Sequence, residues 1–249
     1  MSSPYVFILS WQRPLYLWNC LDSLYRNTRT PCRFVLVDNA SDDPLVDQVI
    51  QGFERRGMFH AVHRRTTNSP DAFDQALREH KVELGDYLAY IEGDVEVLPS
   101  TPSWLEGFLA LTQKHPDLAM LGSLVDGYDF VDLDWAKQRF PELDLQQLDF
   151  LIKSKSPERR LKDIYTEELI DIITPPGRLT FLKTSFILEV GDLRDRLMSA
   201  AAKRLGYRAA IATRVRHRHL SFQNLFDYPD TDLKQRTVFF DAQQGKPRI

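Results

Sequence analysis

Cysteine is nearly absent, with two residues in 249, Cys20 and Cys32. Two thiols make neither a disulfide framework nor a paired zinc-ligand spacing, and Cys20 falls on the apolar stripe of a helical pattern, so both read as packing residues. Long apolar runs are missing too. No stretch approaches the roughly 18 residues of a membrane span. Met1-Ser2-Ser3-Pro4 lacks the basic and apolar regions of a signal peptide, so the expected location is cytoplasmic, with no transmembrane segment. Neither sign of charge dominates: 32 Lys and Arg stand against 35 Asp and Glu, a net charge of −3, which argues against a polyanion-binding domain and a nucleic acid partner. Glycine (11) and proline (14) fall far short of collagen-like levels, and there is no internal repeat or low-complexity tract. With 43% hydrophobic and 27% charged residues, collagen-like, coiled-coil and disordered chains are excluded, leaving a globular protein long enough to bury a real core.

The first half alternates strand-like and helix-like segments. Tyr5-Val6-Phe7-Ile8-Leu9 is a continuous apolar run, the pattern of a strand covered on both faces; Pro14 then opens a helix carrying Leu17, Trp18, Leu21, Leu24 and Tyr25 at helical spacing. Phe34–Val37 repeats the strand pattern, and Leu45, Val46, Val49, Ile50 and Phe53 draw the next helical stripe. A weaker strand is predicted over Phe59–His63, then a helix capped by Ser69 with Pro70 in its first position. Tyr87–Ile91 is a fourth strand, Thr101 is the expected cap of a helix with core face Trp104, Leu105, Phe108 and Leu109, and Leu118–Leu121 forms another strand. From about Asp126 to Pro176 the pattern loosens, with helical stretches at Leu145–Ile152 and Glu167–Ile173 and aromatics that read mostly as core. Gly177–Leu182 resumes a strand, Asp192 stands as cap of a helix ending at Gly206, Tyr207–Ala212 and Val215–His219 read as short strands, and the tail is polar. This alternation predicts an α/β fold with a mixed, mostly parallel central sheet flanked by helices.

Ligands of such sheets lie at the carboxyl ends of the strands. The residues that follow those strands, Ser10 to Arg13, Asp38 and Asn39, and Glu92 to Asp94, therefore converge on one edge. Glu92-Gly93-Asp94 is the most informative: two carboxylates two apart at the end of a buried strand can share a divalent cation, or divide a metal and a ribose between them. An isolated acidic triplet is more often a polar strand end turning at its glycine; the neighbouring motifs lift this one above that reading.

Those neighbours are Ile8-Leu9-Ser10-Trp11-Gln12-Arg13-Pro14, Cys20-Leu21-Asp22-Ser23-Leu24, and Phe34-Val35-Leu36-Val37-Asp38-Asn39-Ala40-Ser41-Asp42-Asp43. In order and spacing they resemble the opening of the family 2 glycosyltransferases, which have a GT-A fold, use nucleotide sugars and mostly invert the anomeric centre. The resemblance covers roughly Val6–Asp117 and Gly177–Ser221. It implies a single GT-A-like domain over 1–225, with a nucleotide-binding half at 1–123, an insertion at 124–176, an acceptor and metal-histidine half at 177–225, and a tail at 226–249.

The resemblance assigns Ser10, Trp11, Arg13, Asp38, Asn39, Glu92 and Gly93 to the nucleotide sugar, with Asp38 on the base. Arg65 and Asn68 would face the nucleotide, although Asn68-Ser69-Pro70-Asp71 has proline where the family often has glycine. Asp94 and His219, or alternatively His217, would bind Mn²⁺ or Mg²⁺ with Glu92, and Arg216 or Arg218 would steady the diphosphate. Glu92 replaces the family's usual first Asp of Asp-X-Asp. The general base falls on Asp195, alternatively Asp192, in Asp192-Leu193-Arg194-Asp195, where Arg194 replaces the usual Glu; Asp192 as cap and Asp195 in the first turn also suit a plain helix start. The implied reaction is metal-dependent, inverting transfer of a sugar from a nucleotide diphosphate, a UDP-sugar first among them, to a glycan, lipid-linked or other hydroxyl acceptor. Two competitors stand beside it: a nucleotide-sugar-binding scaffold without catalysis, and a nucleotidyltransferase, which the lack of glycine in Ser10–Pro14 ranks last.

Overall fold

A computed structural model describes residues 3–126, 166–171, 178–191 and 195–220, with a few isolated positions between 134 and 142. The elements are β1 (Tyr5–Ser10), α1 (Pro14–Asn27), β2 (Arg33–Asp38), α2 (Pro44–Glu54), β3 (Phe59–Arg64), α3 (Ala72–Glu79), β4 (Tyr87–Glu92), β5 (Val95–Val97), α4 (Trp104–Lys114), β6 (Leu118–Val125), β7 (Leu169–Asp171), β8 (Leu179–Lys183), α5 (Thr184–Val190), α6 (Asp195–Arg204) and β9 (Arg208–His219). One mixed sheet runs β3-β2-β1-β4-β8-β6-β9-β5, with β7 added alongside β9.

The parallel character is concentrated at one end. β3, β2, β1 and β4 pair parallel, as the strand-helix alternation demands, whereas β8 runs antiparallel between β4 and β6, and β5 and β7 pair antiparallel with β9. The strands that sequence periodicity reads as buried on both faces are so. Val6, Ile8 and Leu36 pack into a core with α1, α2 and α4, while Tyr5, Phe7, Val35 and Val37 pack on the other face with α3, α5 and α6. Phe181 anchors the middle of the first core, stacked between Tyr87 and Phe108 with ring centroids 5.4 and 5.6 Å away.

Several local expectations are corrected. α4 is capped by Ser103, not Thr101, in a capping box with Glu106. α3 begins at Ala72, two residues beyond Pro70, and Ser69 instead accepts the Asp71 amide. Within the expected helix Glu167–Ile173, the described residues Glu167–Asp171 are not helical: Leu169–Asp171 is an edge strand, held where Thr213 bonds the carbonyls of Glu167 and Glu168. The two short strands predicted after Gly206 are one, β9. Leu145–Ile152, Asp192 and the tail lie outside the described residues. Among the described residues no helix is long and apolar enough to cross a membrane.

Candidate active site

β1 delivers the chain to Ser10, and the turn to α1 must then reverse within three residues. Gln12 and Arg13 do this with φ of 55° and 57°, a left-handed conformation that non-glycine residues rarely adopt. Cross-linking holds it. The Gln12 amide donates to Ser41 Oγ at 2.7 Å, its side-chain Nε2 to Asp42 Oδ1 at 2.6 Å, and its Oε1 accepts the amides of Asp42 and Asp43 at 3.3 Å. The loops after β1 and β2 are thereby stitched together, and the Asn39 amide adds a 2.8 Å bond to Ser10 O.

At the end of β4, the Gly93 amide bonds Leu9 O at 2.8 Å, and a Cβ at Gly93 would stand 3.2 Å from that oxygen and 3.4 Å from Ser10 Cα. Glycine lets the two strand ends touch. Asp94 follows, and its carbonyl accepts the Leu220 amide at 2.9 Å, drawing the end of β9 alongside. His219 Nε2 thus lies 3.2 Å from Asp94 Oδ2, and the ligating atoms of Glu92, Asp94 and His219 all fall within 4.8 Å of one another. Arg13 reaches the same Asp94 oxygen at 3.3 Å, and Arg178 reaches Glu92 Oε2 at 2.5 Å. Burial, with Arg178 and Arg13 nearby, holds His219 below the ordinary imidazole range despite the opposing pull of Asp94. A neutral imidazole among two carboxylates is a donor set suited to a divalent cation of the Mn²⁺ or Mg²⁺ kind.

Above the cluster lies a cleft of about 240 Å³. Ser10, Trp11, Gln12, Arg13 and Tyr16 line one wall, with Asn39, Tyr90, Glu92, Gly93 and Asp94 completing it. Trp11 is half exposed, its indole free to stack on a ligand. Asp38 is buried and does not line the cleft. Its Oδ1 accepts the Ser41 hydroxyl at 2.5 Å, and burial raises its carboxyl above the usual range. Asn68 accepts from Asn39 at 3.1 Å, and Arg65 pairs with Glu79 at 3.0 Å, so neither lines the cleft.

Arg216 and Arg218 are not brought to the cluster. They alternate onto the opposite face of β9 from His217 and His219, and Arg218 lies 3.7 Å from Glu96. The guanidinium groups that stand at the carboxylates are those of Arg13 and Arg178. His217 is fully buried, with Nδ1 2.6 Å from Ser123 Oγ. Asp195 opens α6, and Asp192 lies outside the described residues. Sequence reasoning missed Gln12 and Arg178: no residue pattern along the chain marks a contact made between separate loops.

Residues 5–179 match the sequence model of glycosyl transferase family 2. The match runs through the 124–176 segment and stops short of His219. No curated protein matches the chain. Similar solved structures include GalNAc-T7 with UDP, GalNAc and Mn²⁺, at 16% identity and TM-score 0.62, covering 87% of this chain and 43% of that one. TarS of S. aureus matches at 14% identity and TM-score 0.57, covering 98% of this chain and 43% of its own. The mannosyltransferase PcManGT of Pyrobaculum calidifontis, in complex with GDP-Man and Mn²⁺, matches at 14% identity and TM-score 0.57, covering 98% of this chain and 64% of that one. The chain therefore spans less than two thirds of each of these neighbours, and at such identities the likeness is one of fold. By its fold and by the family match over most of its length, the chain belongs to glycosyl transferase family 2.

Proposed function

We propose that this chain transfers a sugar from a nucleotide diphosphate donor, a UDP-sugar, to a hydroxyl acceptor, with inversion and with a divalent cation held by Glu92, Asp94 and His219. The observation that carries this reading is the meeting of the Glu92–Asp94 pair with His219, 125 residues beyond Asp94, at one cleft on the carboxyl edge of the parallel strands. Bound there, Mn²⁺ or Mg²⁺ supplies positive charge against the leaving diphosphate. Ser10, Trp11 and Asn39 receive the nucleoside, and Asp38, buried beneath the rim, accepts the Ser41 hydroxyl and so holds in place the loop that carries Asn39. Arg13 and Arg178 stand close enough to turn from the carboxylates to the phosphate oxygens as negative charge builds on them. Asp195, at the start of α6, takes the proton from the acceptor hydroxyl.

The neighbours solved with UDP or GDP-Man and Mn²⁺ support a nucleotide-sugar donor. The test is an assay of a nucleotide-sugar panel for release of nucleoside diphosphate in the presence of Mn²⁺. A UDP-sugar is expected to be turned over slowly even without an acceptor, with Asp94→Ala at least about 100-fold slower. If the Asp94→Ala chain releases UDP as fast as the parent, the cation assignment is wrong.

A further inference from the structure

The side of β3 that meets the end of α3 carries a second group of metal-ligating side chains. β3 supplies His60 and His63, the end of α3 supplies Glu79 and His80, and the turn beyond supplies Glu83. In a regular strand His60 and His63, three residues apart, would face opposite sides. Here the pairing of β2 with β3 skips from Phe34↔Phe59 to Val35↔Ala61, leaving His60 as the extra residue of a bulge. The bulge turns His60 toward the side where His63 and His80 lie: the His60 and His80 rings are 5.9 Å apart, and those of His63 and His80 are 5.2 Å apart.

The ligating atoms of His60, His80 and Glu83 all lie within 4.8 Å of one another. Behind them His63 Nδ1 is 2.9 Å from Glu79 Oε2, and its Nε2 is 2.9 Å from His80 Nε2. Such a carboxylate-imidazole pair fixes a ring's tautomer and orientation, as the outer partners of metal-bound histidines do. Glu83 Oε2 also accepts from Tyr5 at 2.6 Å and Arg33 at 2.7 Å, which holds the carboxylate in place. His80 also ends α3 as its C-cap, and it packs with His60 against the Tyr5 ring, but neither role calls for three imidazoles and two carboxylates in one place.

We propose that His60, His80 and Glu83, steadied by His63 and Glu79, form a second metal site, selective for a nitrogen-preferring divalent ion of the Zn²⁺ class. Two imidazoles and one carboxylate differ in kind from the carboxylate-rich set at Asp94, so the two sites take different ions. The bound ion ties β3 to the end of α3 and stabilises the folded chain by linkage.

The full chain carrying Asp94→Ala, which removes the other cluster, is stripped of metal and titrated with Zn²⁺, and with Co²⁺ as a visible probe. The expected result is one equivalent of Zn²⁺, a rise in Tm on binding, and a Co²⁺ absorption band of low coordination number. Both His80→Gln and His60→Gln in that background are expected to weaken binding by more than about tenfold and to remove the Tm rise. His60 is exposed, so its variant keeps the fold and decides the matter if His80→Gln does not fold. Absence of Zn²⁺ binding by the Asp94→Ala chain, or unchanged affinity in His60→Gln, overturns the proposal. Neither result bears on transfer at the Asp94 cleft.

Discussion

Gln12, inside the Ile8–Pro14 motif but given no role by the resemblance, carries much of the rim's geometry. Gln12 spends its amide, its carbonyl and its side-chain nitrogen on the loop after β2 while its own backbone sits at φ 55°. Two effects therefore separate by substitution. Gln12→Ala loses the side-chain bonds and keeps the strain, whereas Gln12→Gly loses the same bonds and relieves it. Urea denaturation should find both variants less stable than the parent, with the glycine variant recovering about 0.5–1 kcal/mol over alanine; equal loss in both would mean the left-handed turn carries no strain. Gly93 is a second residue-scale constraint. Gly93→Ala places a methyl against backbone that cannot swing aside, and should cost about 1–3 kcal/mol of stability by the same measurement.

At the scale of elements, the sequence shows the strand-helix rhythm plainly, because strands buried on both faces and helices with one apolar stripe each leave a distinct period. β1 and β2 are readable from the runs Tyr5–Leu9 and Phe34–Val37, and the helix between them from the stripe of Leu17, Leu21 and Leu24. What periodicity cannot show is a break in itself. β9 pairs with β6 at Ser123↔Ala212 and next at Leu124↔Arg216, so Thr213, Arg214 and Val215 form an irregularity three residues long. An odd insertion reverses which side chains face a given side. It puts His217 beside Ser123 and His219 beside Asp94, where an unbroken strand would have aimed Arg216 and Arg218 toward that side. This is why His219 meets the acidic pair and the arginines of Arg214–His219 do not. Deleting Arg214 should abolish Mn²⁺ binding by throwing the imidazoles off register, while Arg214→Ala, at an exposed position, should leave it within about twofold; Mn²⁺ titration of both variants checks this. The short β5 and β7 escape sequence reading for a simpler reason: three residues hold too little pattern to distinguish strand from helix.

For the whole molecule, the buried imidazoles make stability depend on pH. Burial, with His219 and Arg178 nearby, pushes His217 down to about 3. An unfolded imidazole titrates near about 6.5, so below that value the unfolded chain holds a proton that the folded chain lacks. Stability is then lost as pH falls from about 6.5 toward the folded value, with a slope approaching about 1.4 kcal/mol per pH unit from this group, and is unaffected by it at higher pH. Urea midpoints from pH 7 to pH 4 should decline less steeply in His217→Asn than in the parent; parallel declines would place the acid sensitivity elsewhere. The sequence foretold the fold and the acidic pair because both are local patterns, strand ends followed by polar turns. Arg178, Gln12 and the neutrality of His217 depend on what the fold brings close, and no local pattern encodes that.

We propose that Glu92, Asp94 and His219 hold a cation through which a nucleoside diphosphate binds the cleft. Calorimetric titration of UDP into the chain, with Mn²⁺ and then with excess chelator, tests it most directly. UDP is expected to bind with Mn²⁺, and that binding to be lost with chelator and in both Asp94→Ala and His219→Ala despite folded circular dichroism spectra. UDP binding of equal strength with and without the metal, or undiminished in those variants, would contradict it.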